Sequence, residues 1–221
     1  MGARSTTVTR RAGTIGCMNW TWAESVGAYA EAGRWFVEVV DLVGDRWSAP
    51  GLGEWDVRSL VGHASRSFVT VETYLGQPAV EVEVDTALDY YRAARAIAAG
   101  PGVAERGVAA GLTLGDDPVA EVADVAGRVI SDVTMLTGDE LLTTIVGGMR
   151  LADYLPTRVF ELAVHGCDLC RALDLPLDVP ELPARQALAL IGGLAAWDGV
   201  AGAALLALTG RGPLPDGFSV M

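Results

Sequence analysis

The chain has 221 residues, 51% of them hydrophobic and 20% charged, which suits one sizeable core and is unlike a disordered acidic segment. A formal charge of −12 argues against binding a phosphate backbone, which needs clustered cations. All 16 basic residues are arginine, so Schiff-base chemistry and a P-loop, which need lysine, are excluded.

Residues 1–17 are basic, small and polar with no apolar stretch behind Arg10-Arg11. A signal peptide needs that stretch, so the expectation is a disordered leader and no secretion, with Met18 as an alternative start. The Met-Gly opening fits a myristoylation pattern only loosely. Three cysteines, Cys17, Cys167 and Cys170, are too few for a disulfide framework, and a cytoplasmic, reducing setting is expected.

From Trp20 to about Val43, apolar residues recur at steps of three and four, which predicts an amphipathic helix. A loop follows over Gly44–Gly53, with Trp47 and Pro50 in it. Asp56 reads as the N-cap of a helix from Val57 to about Leu75, ended by Gly76-Gln77-Pro78. The alternation of 79–84 (AVEVEV) suits a short strand or an extended connection. Helical patterns are expected over Thr86–Ala99 and, after a break at Gly100-Pro101-Gly102, from Pro118 to Leu136. The segment Leu141–Val146 is ambiguous between strand and helix. Arg150 to about Leu173 predicts a strong helix with Pro156 in its first turn.

A last helix is expected over 184–208. Its nearly uninterrupted apolar run, 187–208, could be taken for a membrane span, but Asp198 sits at its middle, where a charge costs about 2.5–3.5 kcal/mol. A buried helix of a soluble bundle is the better reading. The whole is expected to be all-α, a four-helix bundle with an extra C-terminal helix, in a single domain over 18–221 after the leader.

The chain has two histidines. His165 follows Glu161 by four residues, so on a helix both project from one face. Arg158 and Asp168 extend the same polar stripe along an otherwise core-like helix. Such groups must be satisfied internally, and a metal is one way to do it. His63, between the apolar Leu60, Val61 and Phe68, can join them if the two helices are neighbours. Two imidazoles and one carboxylate would give an open three-ligand site of the catalytic zinc kind. Spacing alone leaves a second reading open, in which the histidines are packed and Glu161 is a surface partner. Cys167-x-x-Cys170 lies mid-helix, with Cys167 roughly 200° from His165, which disfavours redox or zinc-knuckle use. The tryptophans read as core and loop anchors.

Three blocks resemble a known group. WSAPGLGEWDVRSLVGHASRSF (47–68), TRVFELAVHGCDLCRAL (157–173) and LLALTGRGPLPDGFSV (205–220) are similar to segments of the mycothiol-dependent maleylpyruvate isomerase and S-transferase group of the DinB-like superfamily. The resemblance spans about residues 20–219 and implies a DinB-type four-helix bundle. It also implies a divalent metal, zinc foremost, on His63, Glu161 and His165, and mycothiol as thiol cofactor. A metal lowers the pKa of a coordinated thiol. The implied thiolate adds to a conjugated cis double bond, which rotates before elimination, or attacks a small electrophile and stays attached. The protein would supply no nucleophile of its own. Arg158 and Asp168 are candidates for cofactor contacts, and Arg158 or Arg211 for an anionic substrate, although Arg158 is equally a candidate structural partner of Asp168.

The expected partners are therefore a low-molecular-weight thiol and a small electrophile, with no nucleic acid and no membrane. The group's isomerase carries a separate C-terminal α/β domain, whereas only about 50 residues follow the metal helix here, so maleylpyruvate itself is not assigned as substrate. Two other readings stand beside this one: a non-catalytic metal-binding bundle with Asp168 as a fourth ligand, and a metal-water hydrolase.

Overall fold

The structure, a computed structural model, describes residues 20–98 and 102–220. The expected leader over 1–17, with Cys17 and the alternative start at Met18, lies outside the described residues, as do Gly100 and Pro101 of the expected break. Eight helices and one small hairpin are described: α1 (Trp22–Asp41), α2 (Val57–Leu75), α3 (Ala87–Ala98), α4 (Val103–Leu112), α5 (Pro118–Thr134), β1 (Leu141–Thr144), β2 (Gly147–Arg150), α6 (Leu151–Ala172), α7 (Glu181–Trp197) and α8 (Ala201–Leu208).

Four of the helices make the bundle. Helices α1 and α2 each pack against both α5 and α6, which closes a ring around one core. The i, i+3 and i+4 pattern of α1 puts Tyr29, Phe36 and Val40 inside, and α2 turns Leu60, Ala64 and Phe68 toward them. Phe68 meets Tyr29 edge-on at 6.0 Å between ring centroids. Val122, Val129 and Val133 of α5 and Leu155, Val159 and Leu162 of α6 complete the interior.

Local chemistry starts three of the four bundle helices. Thr21 and Glu24 form a reciprocal capping box on α1. Asp56 caps α2 as expected, its Oδ1 accepting from the Ser59 N–H at 2.7 Å. Asp117 caps α5 with Pro118 at its first position.

Four expectations need correction. Helix α4 is not signalled by the apolar periodicity, because its contact face is made of glycine and alanine. A Cβ at Gly62 of α2 would fall inside the backbone of Ala110 and Gly111, so α2 and α4 meet backbone to backbone. Second, Pro156 is not in the first turn of α6 but at its sixth residue, inside the helix. Third, the helix expected over 184–208 is two helices, broken where Gly199 takes a left-handed φ of +73°. Fourth, α8 is not buried: it has no buried residue, and Leu205 and Leu208 are 63% and 74% exposed.

The two ambiguous segments are settled by pairing. Leu141 and Leu142 enter a strand, with Leu141 opposite Arg150 and Thr144 opposite Gly147. Residues 79–84 form an irregular connection beside that hairpin, with bends at Val80, Glu81 and Glu83, Ala79 N–H donating to Leu141 O and Glu83 N–H to Gly148 O. They form no strand of their own. Among the described residues, no helix is long and apolar enough to cross a membrane.

Candidate metal centre

Helix α6 carries most of the polar groups of this site on one face. Glu161 and His165 stand one turn apart, with Glu161 Oε2 3.2 Å from His165 Nε2. Asp168, three residues further on, places Oδ2 3.1 Å from the other ring nitrogen, Nδ1. His63 comes from α2, and its ring lies edge-on to that of His165 with centroids 4.9 Å apart. One donor atom each from His63, Glu161 and His165 fall within 4.8 Å of one another, the one such group among the described residues. Helices α2 and α6 are neighbours, the condition under which His63 could join Glu161 and His165.

Three aromatic neighbours surround this group. The Trp55 indole lies over His63 at 4.6 Å between centroids. It is pinned from behind by α4: its Nε1–H donates to Ala104 O at 3.0 Å, and Gly107 leaves just enough room, since a Cβ there would overlap the indole. Tyr91, from α3, donates its hydroxyl to Glu161 Oε1 at 2.7 Å and packs edge-on to Phe160 at 5.1 Å. Trp35 packs closely against Gly166, one residue past His165, where a Cβ would not fit.

Neither Trp55 nor Tyr91 was singled out from the sequence as part of the site. Trp55 stands eight residues before His63, inside the resembling block, and that proximity was the signal available. Tyr91 carried none, because its approach to Glu161 depends on how α3 lies across α6.

Charge in the site is matched tightly. Burial opposes the Glu161 carboxylate, but the hydrogen bond with His165, the nearby Arg158 charge and the Tyr91 hydroxyl outweigh it and hold its pKa down to about 2. Burial also opposes a charged His165, and the bonds to Asp168 and Glu161 outweigh that, raising it to about 9. His63 goes the other way: burial, and then the neighbouring His165, lower it to about 4. Its Nδ1 is buried without a hydrogen-bond partner.

Arg158 and Asp168 do not pair with each other, which corrects one candidate role. Arg158 is buried among aromatic rings, its guanidinium 4.9 Å from the Tyr154 centroid and 5.5 Å from that of Tyr90, and its Nε–H donates to Thr157 Oγ1. Asp168 instead faces His165. A ligand bonded to Nδ1 cannot share an ion with Nε2 of the same ring, so Asp168 is not placed as a fourth ligand. Arg211 lies exposed beyond α8. Cys167 and Cys170 are free thiols, both with pKa values pushed up chiefly by burial, the opposite of what a reactive cysteine needs.

Comparison with curated proteins gave no match, and neither did comparison with solved structures. The family model described as the mycothiol maleylpyruvate isomerase N-terminal domain matches residues 16–170. That stretch holds α1 to α5, the hairpin and nearly all of α6, and with it His63, Glu161 and His165. With this match over most of its length and a mostly helical, DinB-like fold, the chain belongs to the mycothiol maleylpyruvate isomerase N-terminal domain family.

Proposed function

We propose that this protein is a metal- and mycothiol-dependent enzyme that transfers the thiol to a small electrophile or isomerises one by reversible thiol addition. The observation that carries the reading is the convergence of His63 from α2 with Glu161 and His165 from α6. Two imidazoles and one carboxylate are the donor set of an open catalytic site, in which a further position is left for an exogenous ligand. The orphaned, buried His63 Nδ1 supports it, since a buried ring nitrogen with no protein partner is costly unless something else satisfies it.

His63, Glu161 and His165 would hold a divalent cation, with zinc favoured by the ligand types although nickel, cobalt and iron also suit them. When bound, that cation lowers the pKa of a thiol reaching it, so that thiolate is available near neutral pH. The chain's own residues then have definable tasks. Asp168 accepts from His165 Nδ1 and fixes the tautomer that leaves Nε2 free as a donor to the ion. Trp55 covers one face of His63 and excludes water there. Arg158 balances the buried Glu161 charge from within the tyrosine cluster. For Asp168 the geometry supports this orienting task more directly than a cofactor contact. We read residues 18–221 as one helical unit working in the cytoplasm.

Metal content of the purified protein and of His63→Ala and His165→Ala, with mycothiol transfer assayed on the same samples, tests the reading. About one metal per chain, lost together with activity in both variants, is the expected result. Full activity in either variant overturns it, and turnover without added thiol would favour metal-water hydrolysis.

A further inference from the structure

We infer that Tyr91 is a positioning residue that restricts Glu161 to a single metal-binding oxygen and so keeps a coordination position open for the thiol. This rests on the metal reading above.

The phenol of Tyr91 is buried, the residue being 4% exposed, and it has two acceptors in reach: Glu161 Oε1 at 2.7 Å and the Thr157 carbonyl at 3.1 Å. One O–H carries one proton, and neither acceptor can return a hydrogen bond while Glu161 is ionised. The shorter bond to the charged oxygen is the stronger, so the proton points at Oε1. The other carboxylate oxygen, Oε2, is the one that faces His165 Nε2. The two oxygens of Glu161 are therefore divided between two tasks: Oε1 is held by Tyr91 and Oε2 is offered to the cluster.

The geometry of α3 makes this hold firm. Tyr91 is wedged edge-on against Phe160 on α6 and against Tyr90, whose ring is 5.5 Å away. The hydroxyl cannot swing away without disturbing both. Were Oε1 free, the carboxylate could chelate an ion with both oxygens, and the added donor would compete with an incoming thiolate. Three protein donor atoms leave room for that sulfur; four fill a tetrahedral site.

The test uses Co2+ in place of the native ion, because its visible absorption reports coordination number and its near-ultraviolet charge-transfer band reports a bound thiolate. Wild type and Tyr91→Phe are loaded with Co2+ and titrated with mycothiol. The expected result is that Tyr91→Phe still takes up about one Co2+ and shows a weaker visible band, the mark of a higher coordination number. Its charge-transfer band should need at least tenfold more mycothiol. A Tyr91→Phe protein that matches wild type in both spectrum and titration overturns the role of Tyr91 while leaving the metal reading intact. Failure of wild type to bind Co2+ overturns the metal reading, and this inference with it. If Tyr91→Phe does not fold, a crystal structure of Co2+-loaded wild type decides: Glu161 bound through Oε2 alone supports the inference, and Glu161 chelating through both oxygens overturns it.

Discussion

Asp168 Oδ2 stands 3.1 Å from His165 Nδ1, on the side of the ring turned away from Glu161. One helix thus supplies a carboxylate, an imidazole and a second carboxylate in line, at spacings of four and three residues, and the imidazole is held at both nitrogens. A metal-binding histidine is commonly oriented in this way from its outer nitrogen. Asp168→Ala should therefore fold normally but bind Zn2+ roughly 10–100-fold more weakly. Competition against a chromophoric chelator measures this, and an unchanged affinity would show that His165 needs no such support.

Trp55 depends on a helix with which it shares no sequence neighbourhood. Gly107 of α4 lies so close to the indole that any Cβ there overlaps it, and the Trp55 Nε1–H bond to Ala104 O prevents the ring from backing away. Gly107→Ala should destabilise the protein by about 1–3 kcal/mol, the usual range for an overpacked site. It should also change the near-ultraviolet circular dichroism as Trp55 leaves the face of His63. Denaturant unfolding gives the first quantity; a variant as stable as the parent would mean that α4 shifts freely on α2.

Asp56 starts the helix that carries His63. Its carboxylate accepts from the Ser59 N–H, so Asp56→Ala should cost about 0.5–2 kcal/mol. The loss should appear in the midpoint of chemical denaturation, with no change in the slope.

Asp153, in the first turn of α6, titrates against the fold. Burial, partly offset by Arg150, raises its pKa from 3.8 to about 6. A carboxyl whose pKa is raised by folding adds no penalty below pH 4, where it is protonated in both states. Between about 4 and 6 the unfolded chain ionises first, so stability falls as pH rises, and the whole cost is present above 6. The shift alone corresponds to about 3 kcal/mol, and partial access to water reduces this to about 1–2 kcal/mol. Asp153→Asn should be the more stable protein at pH 7.5, with the gap closing toward pH 4. Thermal unfolding at the two pH values checks it, and a gap independent of pH would contradict the assignment.

Much of the bundle could be read from the chain because its helices are amphipathic and three of them, α1, α2 and α5, are capped by their own residues. Periodicity located α1, α2, α5 and α6 within a few residues, and Asp56 marked the start of α2. The i, i+4 spacing put Glu161 and His165 on one face with no knowledge of the fold. Helix α4 escaped because its contact surface is glycine and alanine, which give no hydrophobic period; what those small residues permit is the close approach to Gly62 of α2. The run over 187–208 misled for a related reason: uniform apolar character says nothing of direction, and a single left-handed Gly199 turned one expected buried helix into two, the second lying on the surface.

What the sequence by itself determined was therefore local: where the four bundle helices lie, where two of them begin, and which side chains of α6 share a face. Those properties depend on residues within one or two turns of each other. The meeting of His63 with that face, the indole laid over it and the tyrosine bound to Glu161 were decided by tertiary packing alone. They bring together residues separated by up to 102 positions, from His63 to His165, and no pattern along one helix encodes how another will cross it.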